Sequence, residues 1–276
     1  MKQCLVMLLL LLGVTLVYAQ DYRIVKAAGS KTISLQQMAK ELKKYDLIFF
    51  GEFHDNSTLH HMQKELLPLI QDKKELILSF EMFERDVQDL LDAYLAGEIS
   101  EADFLAGSRP WGNYDPDYKP LIEYAKANKL KALAANVPRR YAGKLARQGL
   151  SFREELDEHE LDWISKEITA PDDEYKKAFL ATMMGNGSEG HGMMGGNDAL
   201  ELMYLAQCLK DDTMAESIVM AIKPKPKGKA RVIHFNGDFH SRAFLGTVSR
   251  VRQALPKLKI AVISPIYHPH WQSTPS

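Results

Sequence analysis

Residues 47–56 read Leu47-Ile48-Phe49-Phe50-Gly51-Glu52-Phe53-His54-Asp55-Asn56. Four apolar residues in a row are too few for a helix and are apolar on both faces, the pattern of a strand buried inside a parallel sheet. Gly51 ends the run. Glu52, His54 and Asp55 then follow, groups that are costly to bury and that belong where strands of an α/β sheet open onto solvent or ligand. The same layout returns in Arg231–His240, RVIHFNGDFH, so two strands end in Gly, an acid, Phe and His.

Working outward, apolar residues at helical spacing from Ser57 to Gln71 lead into a second apolar run, Glu75–Phe80. Strand, helix, strand in this order implies parallel pairing, with the carboxyl ends of both strands on one edge, so Glu81 arrives beside Glu52 and His54. Further strands are expected at Leu130–Ala135, Ala230–Phe235 and Lys259–Ser264, the first of them delivering Asn136 and Arg139 to the same edge. The fold class is therefore α/β: a mostly parallel central sheet flanked by helices. The charged helical stretch that starts at Arg139 is read as an insertion, about residues 139–215, covering the carboxyl-end edge. Helices are also expected at Ser34–Lys44, capped by Ser34, at Ser57–Gln71, capped by Ser57 or Thr58, and at Ser241–Leu255.

The N-terminus carries Lys2, an apolar run Leu5–Val17 and the small-residue site Val17-Tyr18-Ala19. This is the pattern of a secretory signal over residues 1–19, the run being shorter than the roughly 20 residues that span a bilayer. Residues 20–276 then form a single domain, expected to be exported, periplasmic or outer-membrane-associated. Cys4 precedes the apolar core and is not placed as a lipid-modified first residue. Once residues 1–19 are removed Cys208 is the remaining cysteine, which leaves no intrachain disulfide. A formal charge of −1 argues against general nucleic-acid binding, and the basic stretch Lys223–Arg231 reads as a solvated loop.

Carboxylates and imidazoles on one sheet edge suit a divalent transition metal. The candidate ligands are His54, Glu81, His240 and Asp238, the last also a possible cap of the following helix. In that scheme Glu52 is a general base for metal-dependent hydrolysis of an ester or amide. His234, inside its strand, reads as a core histidine. His60, early in the first crossover helix, is near enough to line the site. The stretch Met183–Gly196, MMGNGSEGHGMMGG, sets His191 among methionines and flexible glycines, which suits either a large iron-containing ligand or a mobile lid. Tyr204 on the next helix offers a phenolate, a ligand of ferric haem, or a core ring. Gly185-x-Gly187-x-x-Gly190 follows a helix and lacks the strand that a dinucleotide fingerprint requires.

Taken together, GEFHDN with His60 and Gln63, FEMF at Phe80–Phe83, ANVPRR at Ala135–Arg140 and YLAQCLKDDTMAESI at Tyr204–Ile218 resemble the ChaN family of bacterial haem-binding uptake proteins, grouped with the Tiki proteases and erythromycin esterases. The resemblance implies haem bound at a homodimer interface, a tyrosine on the iron, assigned to Tyr204, and basic or His side chains on the propionates. It also implies an outer-membrane uptake partner. In the wider superfamily, paired Gly-x-x-His motifs and a Glu form the site, which fall here on His54, Glu81 and His240 with Glu52 beside them.

Overall fold

The computed structural model describes residues 22–27, 29, 31–185, 196–226 and 228–267. The signal segment and His191 lie outside the described residues. A short hairpin, β1 (Ile24–Lys26) and β2 (Lys31–Ile33), pairs antiparallel ahead of α1 (Leu35–Leu42). It was not expected: three-residue strands of mixed polarity leave no periodic signal. Ser34 caps α1 as predicted, its hydroxyl accepting from the Gln37 N–H and the Gln37 side chain returning to the Ser34 N–H.

The main sheet is built from β3 (Leu47–Glu52), β4 (Glu75–Glu84), β5 (Lys131–Asn136), β6 (Ala230–Gly237) and β7 (Ile260–Ile263). Its five strands run in the order β5-β4-β6-β3-β7, and every pairing is parallel. Alternation along β3 sends Ile48 and Phe50 into one core and Leu47 and Phe49 into another on the opposite face. The first core is covered by α1, α2 (Ser57–Ile70), α3 (Gln88–Ala96), α4 (Glu101–Ser108) and α5 (Lys119–Ala127). The second is covered by the two helices that flank β6 in sequence. Burial on both faces is why these strands read as unbroken apolar runs. Phe80 and Phe235 stack across β4 and β6 with centroids 5.3 Å apart.

Between β5 and β6 lie α6 (Arg139–Gln148), the short α7 (Glu158–Leu161), α8 (Glu174–Gly185) and α9 (Gly196–Ile222), and α10 (Gly246–Ala254) follows β6. The far end of α9 lays Ala215 and Ile218 on the sheet beside Val248 and Val251 of α10. Its preceding turns carry Gln207 and Asp211 toward the carboxyl ends of the strands.

Two boundaries differ from expectation. The α2 cap is Asn56, whose side chain accepts from the Leu59 N–H at 3.0 Å; Ser57 is already helical. The helix expected from Ser241 starts at Gly246, because 3₁₀ turns at Asp238–His240 and Arg242–Phe244 carry the chain off the end of β6.

Candidate functional site at the carboxyl end of the sheet

The position of β6 decides the site. It enters between β3 and β4, so the two Gly-acid-Phe-His tails emerge side by side and Glu81 on β4 faces them. The tails are staggered by one residue: Gly51 pairs with Asn236 and Glu52 with Gly237. A one-residue stagger in a pleated sheet reverses the face on which a side chain emerges. Glu52 therefore turns into the cluster and Asp238 turns away, its Oδ1 over Gly51 without a hydrogen-bond partner. Asp238 is thus not a ligand beside Glu81 and His240, contrary to expectation, and burial raises its carboxyl pKa.

Glu52 is only 2 % exposed. Its Oε1 accepts from the Tyr118 hydroxyl at 2.6 Å and from His54 Nδ1 at 3.0 Å, while Oε2 accepts from Gln63 Nε2. Tyr118 is held at the end of a single π-helical turn, Tyr114–Tyr118. With three donors already on it, Glu52 orients its neighbours and has little capacity left to act as the free base expected from sequence. Because a carboxylate can only accept, the His54 proton facing it sits on Nδ1, which leaves Nε2 turned toward Gly237 and Glu81.

A second pair repeats this arrangement. His240 Nδ1 donates to Asp211 Oδ1 at 2.8 Å, and Asp211 is fixed in turn by the Thr247 hydroxyl at 2.7 Å and the Tyr175 hydroxyl at 2.5 Å. His240 Nε2 lies 3.3 Å from Glu81 Oε1 and 3.2 Å from Gln207 Nε2. Glu81 Oε2 accepts the Gly237 N–H at 2.7 Å. Two imidazoles, each held at Nδ1 by a buried carboxylate, thus turn their Nε2 atoms toward Glu81.

The electrostatics follow from this layout. Burial opposes the His240 cation, yet the charges of Glu81 and Asp211 prevail and push its pKa up to about 10. Burial likewise opposes the Glu81 carboxylate, but His240 and then His54 hold it well below the usual range. At His54 burial would depress the ring, and the Glu52 hydrogen bond together with the Glu81 charge outweighs it, so the pKa is raised. Glu81 and His240 are thus paired buried charges with the half-exposed His54 ring at their open side, the arrangement in which burial is tolerated and proton chemistry becomes available.

The remaining predicted residues are placed as follows. His60 is buried beneath the cluster, Nδ1 against Gln63 Oε1 at 2.9 Å and Nε2 against the His54 carbonyl at 3.1 Å; it supports the His54 turn and does not line an open surface. Asn136 binds the Glu81 carbonyl at 3.0 Å. It thereby stabilises the bulge where β4 takes four steps against two on β5, from Phe80–Ala134 to Glu84–Asn136. Arg139 is exposed at the start of α6. Tyr204 stands apart, 1 % exposed, packed on Tyr175 and Phe179, its hydroxyl donating to the Pro171 carbonyl at 2.7 Å. Burial raises its pKa far above the ordinary phenol value, so the phenolate inferred for iron is not at hand in this packing. Among the described residues no three His, Cys, Asp or Glu side chains stand where they could hold a metal ion. The metal set expected from sequence is therefore not supported: Glu81 and His240 pair with each other, and Asp238 points away from them.

Sequence reasoning missed Asp211, Gln207, Tyr175, Thr247 and Tyr118. Gln207 and Asp211 are four apart on α9 and so share a helix face, a signal that the apolar positions of that helix obscured.

Residues 38–251 match the family described as haem-binding uptake, Tiki superfamily, ChaN. Among solved structures the chain is similar to the ChaN of Campylobacter jejuni described as binding haem cofacially, with TM-score 0.67 and 19 % identity over 89 % of this chain and 91 % of that one. It is also similar to RRSP, a MARTX toxin effector domain from Vibrio vulnificus CMCP6, with TM-score 0.45 and 14 % identity over 85 % of this chain and 36 % of that one. No curated protein matches the chain by sequence. With more than half of its length matched, the chain belongs to the haem-binding uptake family of the Tiki superfamily, ChaN.

Proposed function

We propose that this protein binds haem in an exported haem- or iron-uptake role, acting as a homodimer that exchanges its ligand with an outer-membrane partner. The observation that carries the reading is family membership over residues 38–251. A haem surface needs apolar contact for the porphyrin and an unengaged ligand for iron. Met184 at the end of α8 is 62 % exposed and supplies a soft apolar contact. It borders the stretch that carries His191, one of the haem-binding candidates from sequence beside Tyr204 and His60. His60 and Tyr204 fit less well, since each would first have to give up Gln63 or Pro171.

Titration of the purified full chain with haem tests the proposal. A Soret band that shifts and saturates, and that is altered in His191→Ala, is expected. Tyr204→Phe is expected to leave the band unchanged; a change there would restore the tyrosine as ligand. No Soret shift at all would remove the haem reading.

A second reading is favoured by one observation, the two carboxylate-held imidazoles meeting at Glu81. Such a site suits hydrolysis of an ester or amide by proton transfer. His54, oriented by Glu52, takes a proton from water, and the Glu81–His240 pair returns one to the leaving group. An esterase and peptidase panel with Glu52→Gln and His54→Gln decides it. Turnover lost in both variants, with folding intact, supports hydrolysis; no turnover by the wild type rejects it.

A further inference from the structure

The formal charge of −1 conceals a separation of charge along the strands. The acids and histidines gather at the carboxyl end of the sheet, whereas the amino end carries lysines. Lys73 precedes β4, Lys131 opens β5, Lys229 precedes β6 and Lys259 precedes β7, and all four are exposed. With strands about 4.8 Å apart, the order β5-β4-β6-β3-β7 sets them along a row of about 20 Å. The row is continuous through the backbone: the Glu75 N–H donates to the Lys229 carbonyl at 2.9 Å, and the Leu47 N–H to the Lys259 carbonyl at 3.1 Å.

Lys223 and Lys257 flank a recess of about 340 Å³ beside this row, lined by Ile222, Pro226, Leu255 and Leu258 where α9 and α10 end. Counter-charge is short. Glu75 is shared by Lys225 at 2.7 Å and Lys131 at 3.6 Å, Asp46 is taken by Lys74 at 2.7 Å, and Asp72 by Arg231 at 2.9 Å. Lys73, Lys223, Lys229, Lys257 and Lys259 make no ion pair among the described residues.

We propose that this amino-end face docks the protein on an anionic phospholipid surface, with lipid phosphates meeting the lysine row and the recess taking apolar contact from the interface. Charge complementarity carries the assignment. An anionic bilayer attracts each nearby Lys only weakly, so several such contacts act together. Nucleic acid fits the face less well, because no aromatic ring lines the recess to stack a base. Met220, 55 % exposed just before Ile222, adds an apolar contact that a bilayer interface can use and a polyanion in water cannot. The inference does not depend on the haem reading, since the face lies at the opposite end of the strands from the Glu81 cluster. It orients that cluster away from the membrane.

The test is vesicle flotation of the full chain at low salt, with phosphatidylcholine vesicles and with vesicles containing about one-third phosphatidylglycerol. Binding to the anionic vesicles is expected to be at least tenfold stronger. It should weaken as salt rises and fall more than tenfold in the variant Lys223→Glu/Lys229→Glu/Lys257→Glu/Lys259→Glu. Circular dichroism of the variant should match the wild type. If the fourfold reversal fails to fold, Lys229→Gln/Lys259→Gln is expected to lose several-fold in the same assay. Equal binding to the two vesicle types, undiminished binding by the folded variant, or tighter binding to duplex DNA than to the anionic vesicles would each overturn the proposal.

Discussion

Gly237 lies so close beneath the His54 ring that a Cβ at that position would stand 2.6 Å from Nε2 and 2.8 Å from Cε1. The glycine is required by proximity: the imidazole rests directly on the β6 backbone, within reach of the Glu81 field. Gly237→Ala is expected to push the half-exposed ring off its Glu52 hydrogen bond and to cost about 1 kcal/mol, the loss of that bond. Chemical denaturation measures the cost, and the His54 imidazole resonances report the displacement. An unshifted ring with unchanged stability would contradict the close approach.

Asp211 sets the behaviour of His240. A histidine whose folded pKa is raised stabilises the protein fully below its unfolded pKa of about 6.5, and that stabilisation is lost as pH rises toward the folded value. Glu81 and Asp211 have lowered pKa values, so their contribution is present above about pH 4 and is lost as pH falls. Asp211→Asn removes one of the two charges that hold His240 protonated. The expected result is a lower His240 midpoint by NMR and a shallower loss of stability on the alkaline side.

His234 should act in the opposite sense. It is fully buried within β6, Nδ1 2.9 Å from Ser79 Oγ, and burial pushes its pKa down to about 3. The unfolded chain therefore takes up a proton near pH 6.5 that the folded chain refuses, which costs up to about 1.4 kcal/mol per pH unit below that point. His234→Gln is expected to flatten the acid limb of the stability curve between about pH 6 and 3, as read by denaturation midpoints at successive pH values.

Arg231 ties the amino end together. Its buried guanidinium donates to the Ile70 carbonyl at 2.8 Å and the Lys43 carbonyl at 2.7 Å, and pairs with Asp72 at 2.9 Å. It thus satisfies orphan carbonyls at the ends of α2 and α1 from a position on β6. Arg231→Met keeps the stem and abandons those acceptors, and is expected to cost about 3 kcal/mol by equilibrium unfolding. A loss under about 1 kcal/mol would show that water replaces the guanidinium.

The inner strands β3, β4 and β6 were legible because both faces of each are buried, which turns them into apolar runs that no helix would require. Glu52, His54, Glu81 and His240 were legible for the complementary reason, as polar groups placed directly after such runs. The one-residue stagger between β3 and β6 was not, because two identical motifs give no hint that they pair out of step; Asp238 was misplaced for that reason alone. Asp211, Tyr175 and Thr247 were hidden by distance in sequence, since each is a plain helical or near-helical residue until α9 and α10 pack beside His240. Tyr204 shows the converse: its place in a matching block said nothing about whether its hydroxyl faces a ligand or a carbonyl.

The central place of β6 has a kinetic consequence. The Gly237 amide and the Glu81 carboxylate that it meets are 156 residues apart, so β3 and β4 leave the ribosome long before the strand that fills the gap between them. Until then each has an unpaired inner edge, the feature that invites wrong pairing and aggregation. Closing so long a loop is slow, and a chain truncated before Ala230 would keep that gap open permanently.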